Sequence, residues 1–151
     1  MAIPSDILFK IDCQLGEQTF TVGAVPGGNR VVAMMHGGSF EGPRLSGTVA
    51  SGGDWAVVRA DGTLEADVRV VLKTSDDALI YLRYSGVIVE MPKAMAAVKQ
   101  GRTVGPDEVY FRVAARFETA APQHAWLNNT LAVGIGSLTT TGVSYEFHAV
   151  K

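Results

Sequence analysis

Leu64–Lys73, LEADVRVVLK, is the stretch that decides the fold class. Leu64, Ala66, Val68, Val70 and Leu72 fall on one side of an extended chain, and Glu65, Asp67, Arg69, Val71 and Lys73 on the other. A period of two marks a strand with one drier face, whereas a helix repeats at three and four residues. The same rhythm returns in Val109–Phe117, where Val109, Phe111, Val113, Ala115 and Phe117 oppose Tyr110, Arg112, Ala114 and Arg116. Just before Leu64 stands Ala60-Asp61-Gly62, and Asp-Gly between two apolar runs is a strong hairpin signal.

Working outward, residues 37–62, GGSFEGPRLSGTVASGGDWAVVRADG, hold seven glycines in 26 positions. Glycine this dense points to turns with positive φ or to close backbone approach. Two strands are expected inside this stretch, Arg44–Ser51 and Trp55–Arg59. Upstream, Ile7–Leu15 alternates, Gly16-Glu17 reads as a break, and Thr19–Val25 and Arg30–Met35 follow as strands. Downstream come Ala78–Val89, Leu131–Leu138 and Val143–Val150. Pro92–Gln100 is the helical segment, with proline at its start and Gly101 at its stop. Eight to ten strands with one helix lack the crossovers of a parallel sheet. The pattern therefore predicts an all-β fold, a small antiparallel β-barrel of lipocalin-like size with a helix at about 92–100. A two-sheet sandwich is the alternative. Residues 1–151 are expected to form a single domain, since a chain this long can bury roughly 70% of its unfolded surface.

A net charge of −2 and a pI near 5.9 give no electrostatic reason to expect nucleic acid or an anionic membrane as partner. The one cysteine, Cys13, excludes an intrachain disulfide, and no Cys/His spacing resembles a zinc site. The N-terminus MAIPSDILFK does not read as a signal peptide, and no apolar run approaches a membrane span. The expectation is a cytoplasmic protein needing neither metal nor cofactor.

Phosphate loops, dinucleotide fingerprints, nucleophile elbows and paired-histidine metal helices are all missing from the sequence. Cys13 sits on the apolar face of its strand, as an inert core thiol does. His36, His124 and His148 lie far apart in sequence. What remains is carboxylates and arginines beside aromatics. Asp54, next to Trp55, can be a general acid or base whose pKa is raised by burial, or the first residue of an Asx turn. Arg69 in a lumen can clamp a carboxylate or enolate oxygen; on the outside it is a solvated charge. Alternation alone leaves both faces open.

The ordered set Gly37-Gly38, Glu41-Gly42-Pro43, Gly52-Gly53-Asp54-Trp55, Asp61-Gly62, Arg69, Tyr110-Phe111-Arg112, Phe117-Glu118-Thr119 and Trp126-Leu127-Asn128 resembles the domain-of-unknown-function family 3237. The resemblance runs from about residue 7 to the C-terminus and implies a small β-barrel that forms homo-oligomers. The family carries Asp-Gly where this chain has Asp76-Asp77-Ala78.

Two functions stay open. One is a cofactor-independent enzyme of proton-transfer type (lyase or hydratase, isomerase, or hydrolase) acting on a small, partly apolar oxygenated metabolite. The other is a non-catalytic barrel that binds such a metabolite. The candidate catalytic residues are Asp54 as acid/base and Arg69 as clamp, at the end of the barrel formed by the glycine-rich stretch. Glu41, Trp55, Tyr84, Tyr110, Arg112, Trp126 and Asn128 are the candidate substrate-binding residues. Val68–Leu72 and Leu79–Val89 look apolar on both faces, which points to a homodimer or homotetramer covering the surplus.

Overall fold

A computed structural model describes the backbone of residues 1–151 and every side chain but that of Glu17. Eight strands close into an antiparallel barrel in chain order: β1 Ser5–Val25, β2 Gly28–Glu41, β3 Ser46–Val58, β4 Leu64–Thr74, β5 Leu79–Ile88, β6 Phe111–Glu118, β7 Leu131–Leu138 and β8 Gly142–Val150. Each strand pairs with the next, and β8 returns to β1 from Ser5↔Val150 to Gln14↔Gly142. The barrel, not the sandwich, is the arrangement the alternating pattern encodes. Closure pairs almost every strand edge.

The early strands are fewer and longer than the sequence implies. Gly16-Glu17 does not break the first strand, and Gly52-Gly53 does not divide the third. Register shifts at Gln14/Leu15, Leu15/Thr19 and Val49/Ser51 bend the strands instead, so the chain curves without stopping. Gly38 shows why this region is rich in glycine: its φ is 137°, and a Cβ there would collide with the Asp12 carbonyl.

The inner face of β4 is the one predicted by alternation: Leu64, Ala66, Val68, Val70 and Leu72 are all buried. Aromatic rings fill the centre, with Phe9 packed on Phe40, Phe117 and Phe147 at centroid separations of 5.4, 6.1 and 5.4 Å. Tyr145 lies against Phe111, Tyr84 and Phe147. Gly136 has no side chain because the Phe111 ring occupies the space a Cβ would need. Interior packing of this kind makes the barrel a core more than a channel.

The helix α1, Met91–Lys99, follows β5 and ends at Gly101, whose φ is 82° and whose N–H donates to the Val98 carbonyl. Its Ala94 is buried, and Met91, Ala97 and Val98 pack on the core, so it closes one end of the barrel. A 3-10 helix, Pro122–Asn129, closes the other with buried His124 and Leu127. No helix is long and apolar enough to cross a membrane.

Candidate functional site

Asp54 lies within β3, where an Asx turn has no place. It is paired with Ala33 of β2 and Val68 of β4. Directly opposed residues of antiparallel strands share a face. The row continues through Val68↔Tyr84, Tyr84↔Ala115 and Ala115↔Ala132, all buried, so the Asp54 side chain points inward. The β3–β4 register passes from Asp54↔Val68 to Val57↔Glu65 with no pair between, and side chains fill this interruption. Asp54 Oδ1 accepts the Asp67 backbone N–H at 2.9 Å, and Arg30 Nη1 donates to the Trp55 carbonyl at 2.6 Å. Burial lifts the Asp54 pKa to about 6; the Asp67 N–H opposes the rise, the Asp67 charge adds to it, and Arg30 opposes it. A carboxyl so tuned holds both protonation states near neutrality.

Three further polar groups share that interior. Cys13 is buried and its thiol is pushed up to about 12 by desolvation, which leaves it unreactive. Tyr84 and Tyr145 meet edge to face at 4.9 Å, and burial holds both phenols protonated, with the Asp54 charge acting in the same direction. The Tyr84 hydroxyl has no partner in hydrogen-bonding geometry, although Cys13 and Tyr145 lie close enough to influence it. A buried unpaired hydroxyl costs about 1–3 kcal/mol. A cleft of about 570 Å³ is lined by Leu15, Gly16, Gln18, Met34, Met35 and His36, at the irregular stretch of the β1–β2 pairing. Met35 is two residues from Ala33, the partner of Asp54, and on the same inner face, so the cleft touches the stretch of β2 that pairs with the Asp54 segment of β3.

The other candidates disperse. Arg69 is on the outer wall, half exposed, with Nη1 3.4 Å from Asp67 and its guanidinium 5.7 Å from the Trp55 ring centroid. Neither side chain enters the lumen with Asp54. Tyr110 is 56% exposed under the Arg112 guanidinium, which also donates to the Phe111 carbonyl. Glu41, Trp126 and Asn128 lie toward the end closed by the 3-10 helix. Glu41 is exposed, Trp126 stacks under Arg44 at 3.8 Å, and Asn128 bonds both the N–H and the carbonyl of Thr119. Of the nine candidates, Asp54 and Tyr84 are the pair brought together inside the barrel.

Two groupings had no sequence signal. Arg30 reaches the Asp54 region only through the β2–β3 register. Asp76 accepts hydrogen bonds from Thr74 Oγ1, His124 Nε2 and Gln123 Nε2, which hold its carboxyl below the usual range. It thereby ties the β4–β5 turn to the 3-10 helix across 48 residues of sequence. Among the described residues, no group of three or more His, Cys, Asp and Glu is assembled as a metal would need.

Over residues 5–150 the sequence matches the family described as "Protein of unknown function (DUF3237)". The chain belongs to DUF3237. A UPF0311 protein of Rhodopseudomonas palustris is 29% identical over 144 residues, covering 95% of this chain and 94% of that one. Its crystal structure superposes with a TM-score of 0.90 at 27% identity over 100% and 99% of the two chains. A β-barrel-like protein of Acinetobacter baumannii superposes with a TM-score of 0.85 at 33% identity, covering 100% and 98%. The hydroalkoxylation enzyme phnH of Penicillium herquei is 30% identical over 105 residues, covering 70% of this DUF3237 chain and 56% of that protein. In this DUF3237 chain Asp77 has a φ of 68°, the conformation glycine adopts freely.

Proposed function

We propose that this barrel is a cofactor-free enzyme that adds a hydroxyl across, or eliminates it from, a carbon–carbon double bond. The substrate class is a small, oxygenated, partly apolar compound. The observation carrying the reading is the half-buried Asp54 carboxyl, with its pKa about 6, in the same interior as the unpartnered Tyr84 hydroxyl. The distant relative phnH, a hydroalkoxylation enzyme by name, supports that class of chemistry.

In the addition, the substrate hydroxyl oxygen bonds to one alkene carbon while the Asp54 carboxyl delivers its proton to the other. The carboxylate so formed takes the hydroxyl proton, and the group returns to its starting state with no net proton lost. Tyr84, held protonated by burial, donates to a carbonyl conjugated with the alkene and stabilises charge gathering there. Elimination runs the same steps backward. The cleft that Leu15 and Met35 line is the proposed entrance for the substrate.

The test begins with hydroxylated and unsaturated carbonyl compounds screened for thermal stabilisation. Turnover of the hits is then compared between wild type and Asp54→Asn. Asn Oδ1 still accepts from the Asp67 N–H, so binding persists while turnover drops roughly a hundredfold or more. Normal turnover by Asp54→Asn defeats the assignment. The Tyr84 hydroxyl would also serve a non-catalytic binder, and that reading predicts stabilising compounds that wild type leaves unchanged.

A further inference from the structure

Arg69, Arg83 and Arg116 stand directly opposite one another on three adjacent strands, through the pairs Arg69↔Arg83 and Arg83↔Arg116. Directly opposed residues share a face, and all three side chains are exposed on the outer wall. Like charges facing across strands are destabilising, so a row of three cations carries a repulsive cost. Asp67 offsets part of it by pairing with Arg69 at 3.4 Å. Among the described residues, Arg83 and Arg116 have no carboxylate within ion-pair distance. The overall charge is −2, so this row is not one sample of a generally basic surface.

The row borders a cleft of about 290 Å³ whose outer lining is Asp67, Arg69, Arg83, Ser85, Arg116 and Leu131, with Ala114 beside them and the chain at buried Tyr84 completing it. Ser85 places a hydroxyl between Asp67 and Ala114 in the adjacent cross-strand row. Leu131, paired with Arg116 and 52% exposed, gives the cleft an apolar floor at one side. Guanidinium groups bind planar or tetrahedral oxyanions through paired N–H donors, and two unpaired ones side by side favour an anion over any cation or neutral polar group.

We propose that this outer cleft is a binding site for an amphipathic anion, a phosphate or carboxylate headgroup held by Arg83 and Arg116 with an apolar body resting on Leu131. It lies on the opposite side of the wall from Asp54 and does not depend on the chemistry assigned to that residue. The anion supplies the charge that the arginine row lacks and offsets its repulsion.

The probes are inorganic phosphate, phenyl phosphate and benzoate, measured by calorimetry and thermal shift at ionic strength matched with sodium chloride. Wild type binds at least one of the three oxyanion probes, and the comparison of phenyl phosphate with benzoate tells phosphate from carboxylate. Binding of an aryl probe in preference to inorganic phosphate supports the apolar floor. Arg83→Gln and Arg116→Gln each weaken binding roughly tenfold, the size of one charge-assisted contact. Without ligand, at low salt, both variants melt no lower than wild type, because each relieves the like-charge row. Asp54→Asn binds the probes as wild type does. A wild-type response that chloride reproduces, or equal responses from wild type and both arginine variants, overturns the proposal. So does light scattering in which Arg83→Gln changes the association state, since the row would then belong to an interface between copies.

Discussion

The Asp54 carboxyl accepts the Asp67 backbone N–H at 2.9 Å on the inner side of the barrel wall, while the Asp67 carboxylate pairs with Arg69 at 3.4 Å on the outer side. One residue of β4 therefore positions the interior acid with its main chain and neutralises an exterior cation with its side chain. Burial lifts the Asp54 pKa to about 6 against the opposing pull of this Asp67 N–H bond.

Asp54 should weaken the fold above its own pKa. Its folded pKa, about 6, lies above the roughly 3.9 of an unfolded aspartate. The folded state thus holds the proton more tightly, and the stability this confers is fully present below the unfolded value and lost as pH rises through about 6. Asp54→Asn removes the titration and keeps the Asp67 bond. At pH 8 it should be more stable than wild type by about 1–3 kcal/mol, several degrees in Tm, and the gap should shrink toward pH 4. Paired melting curves across pH check this; a gap that does not change with pH contradicts it.

Tyr84→Phe should stabilise the empty barrel. The phenol is buried without a partner, so deleting its oxygen removes an unmet desolvation cost of about 1 kcal/mol and leaves the ring packing on Tyr145 and Phe147 intact. The same variant should lose part of the stabilisation conferred by any interior ligand. Chemical denaturation with and without a screening hit separates the two effects. A destabilised Phe variant would mean the hydroxyl is satisfied in solution.

Asp77 tests the left-handed turn between β4 and β5. Its φ is 68°, and its carboxylate pairs with Lys73 at 3.1 Å on the exposed surface, a contact worth about 0–1 kcal/mol. Asp77→Gly should be neutral or stabilising by up to about 1 kcal/mol, and Asp77→Val destabilising by about 1–2 kcal/mol, because a branched Cβ clashes in that conformation. Denaturant midpoints that rank valine above glycine would remove the strain argument.

The edge of β1 from Thr19 to Val25 pairs with β2 alone, since β8 leaves β1 at Gln14. Phe20 and Val22 are 57% and 63% exposed there. An uncharged apolar edge invites a further strand. The chain is expected to associate through it, and Val22→Lys should shift the population toward monomer in light scattering at micromolar concentration. A wild type that is monomeric throughout rules the edge out as an interface.

The alternation in Leu64–Lys73 and Val109–Phe117 was enough to determine strands, their drier faces and, by the lack of crossovers, an antiparallel all-β fold. Pro92 and Gly101 were enough to bracket the helix. These signals are local: each depends on residues a few positions apart, whose side chains alternate in direction whatever the rest of the chain does. The tertiary structure alone decided which residues meet. Closure set the register that turns Asp54 inward beside Tyr84 and lines Arg69 up with Arg83 and Arg116 outside. It also turned Gly16 and Gly52-Gly53 from apparent breaks into bends, because glycine permits a curved strand as readily as a turn. Tyr84 and Tyr145 are 61 positions apart, and His124 and Asp76 are 48; such pairings exist only once the strands between them have closed the ring.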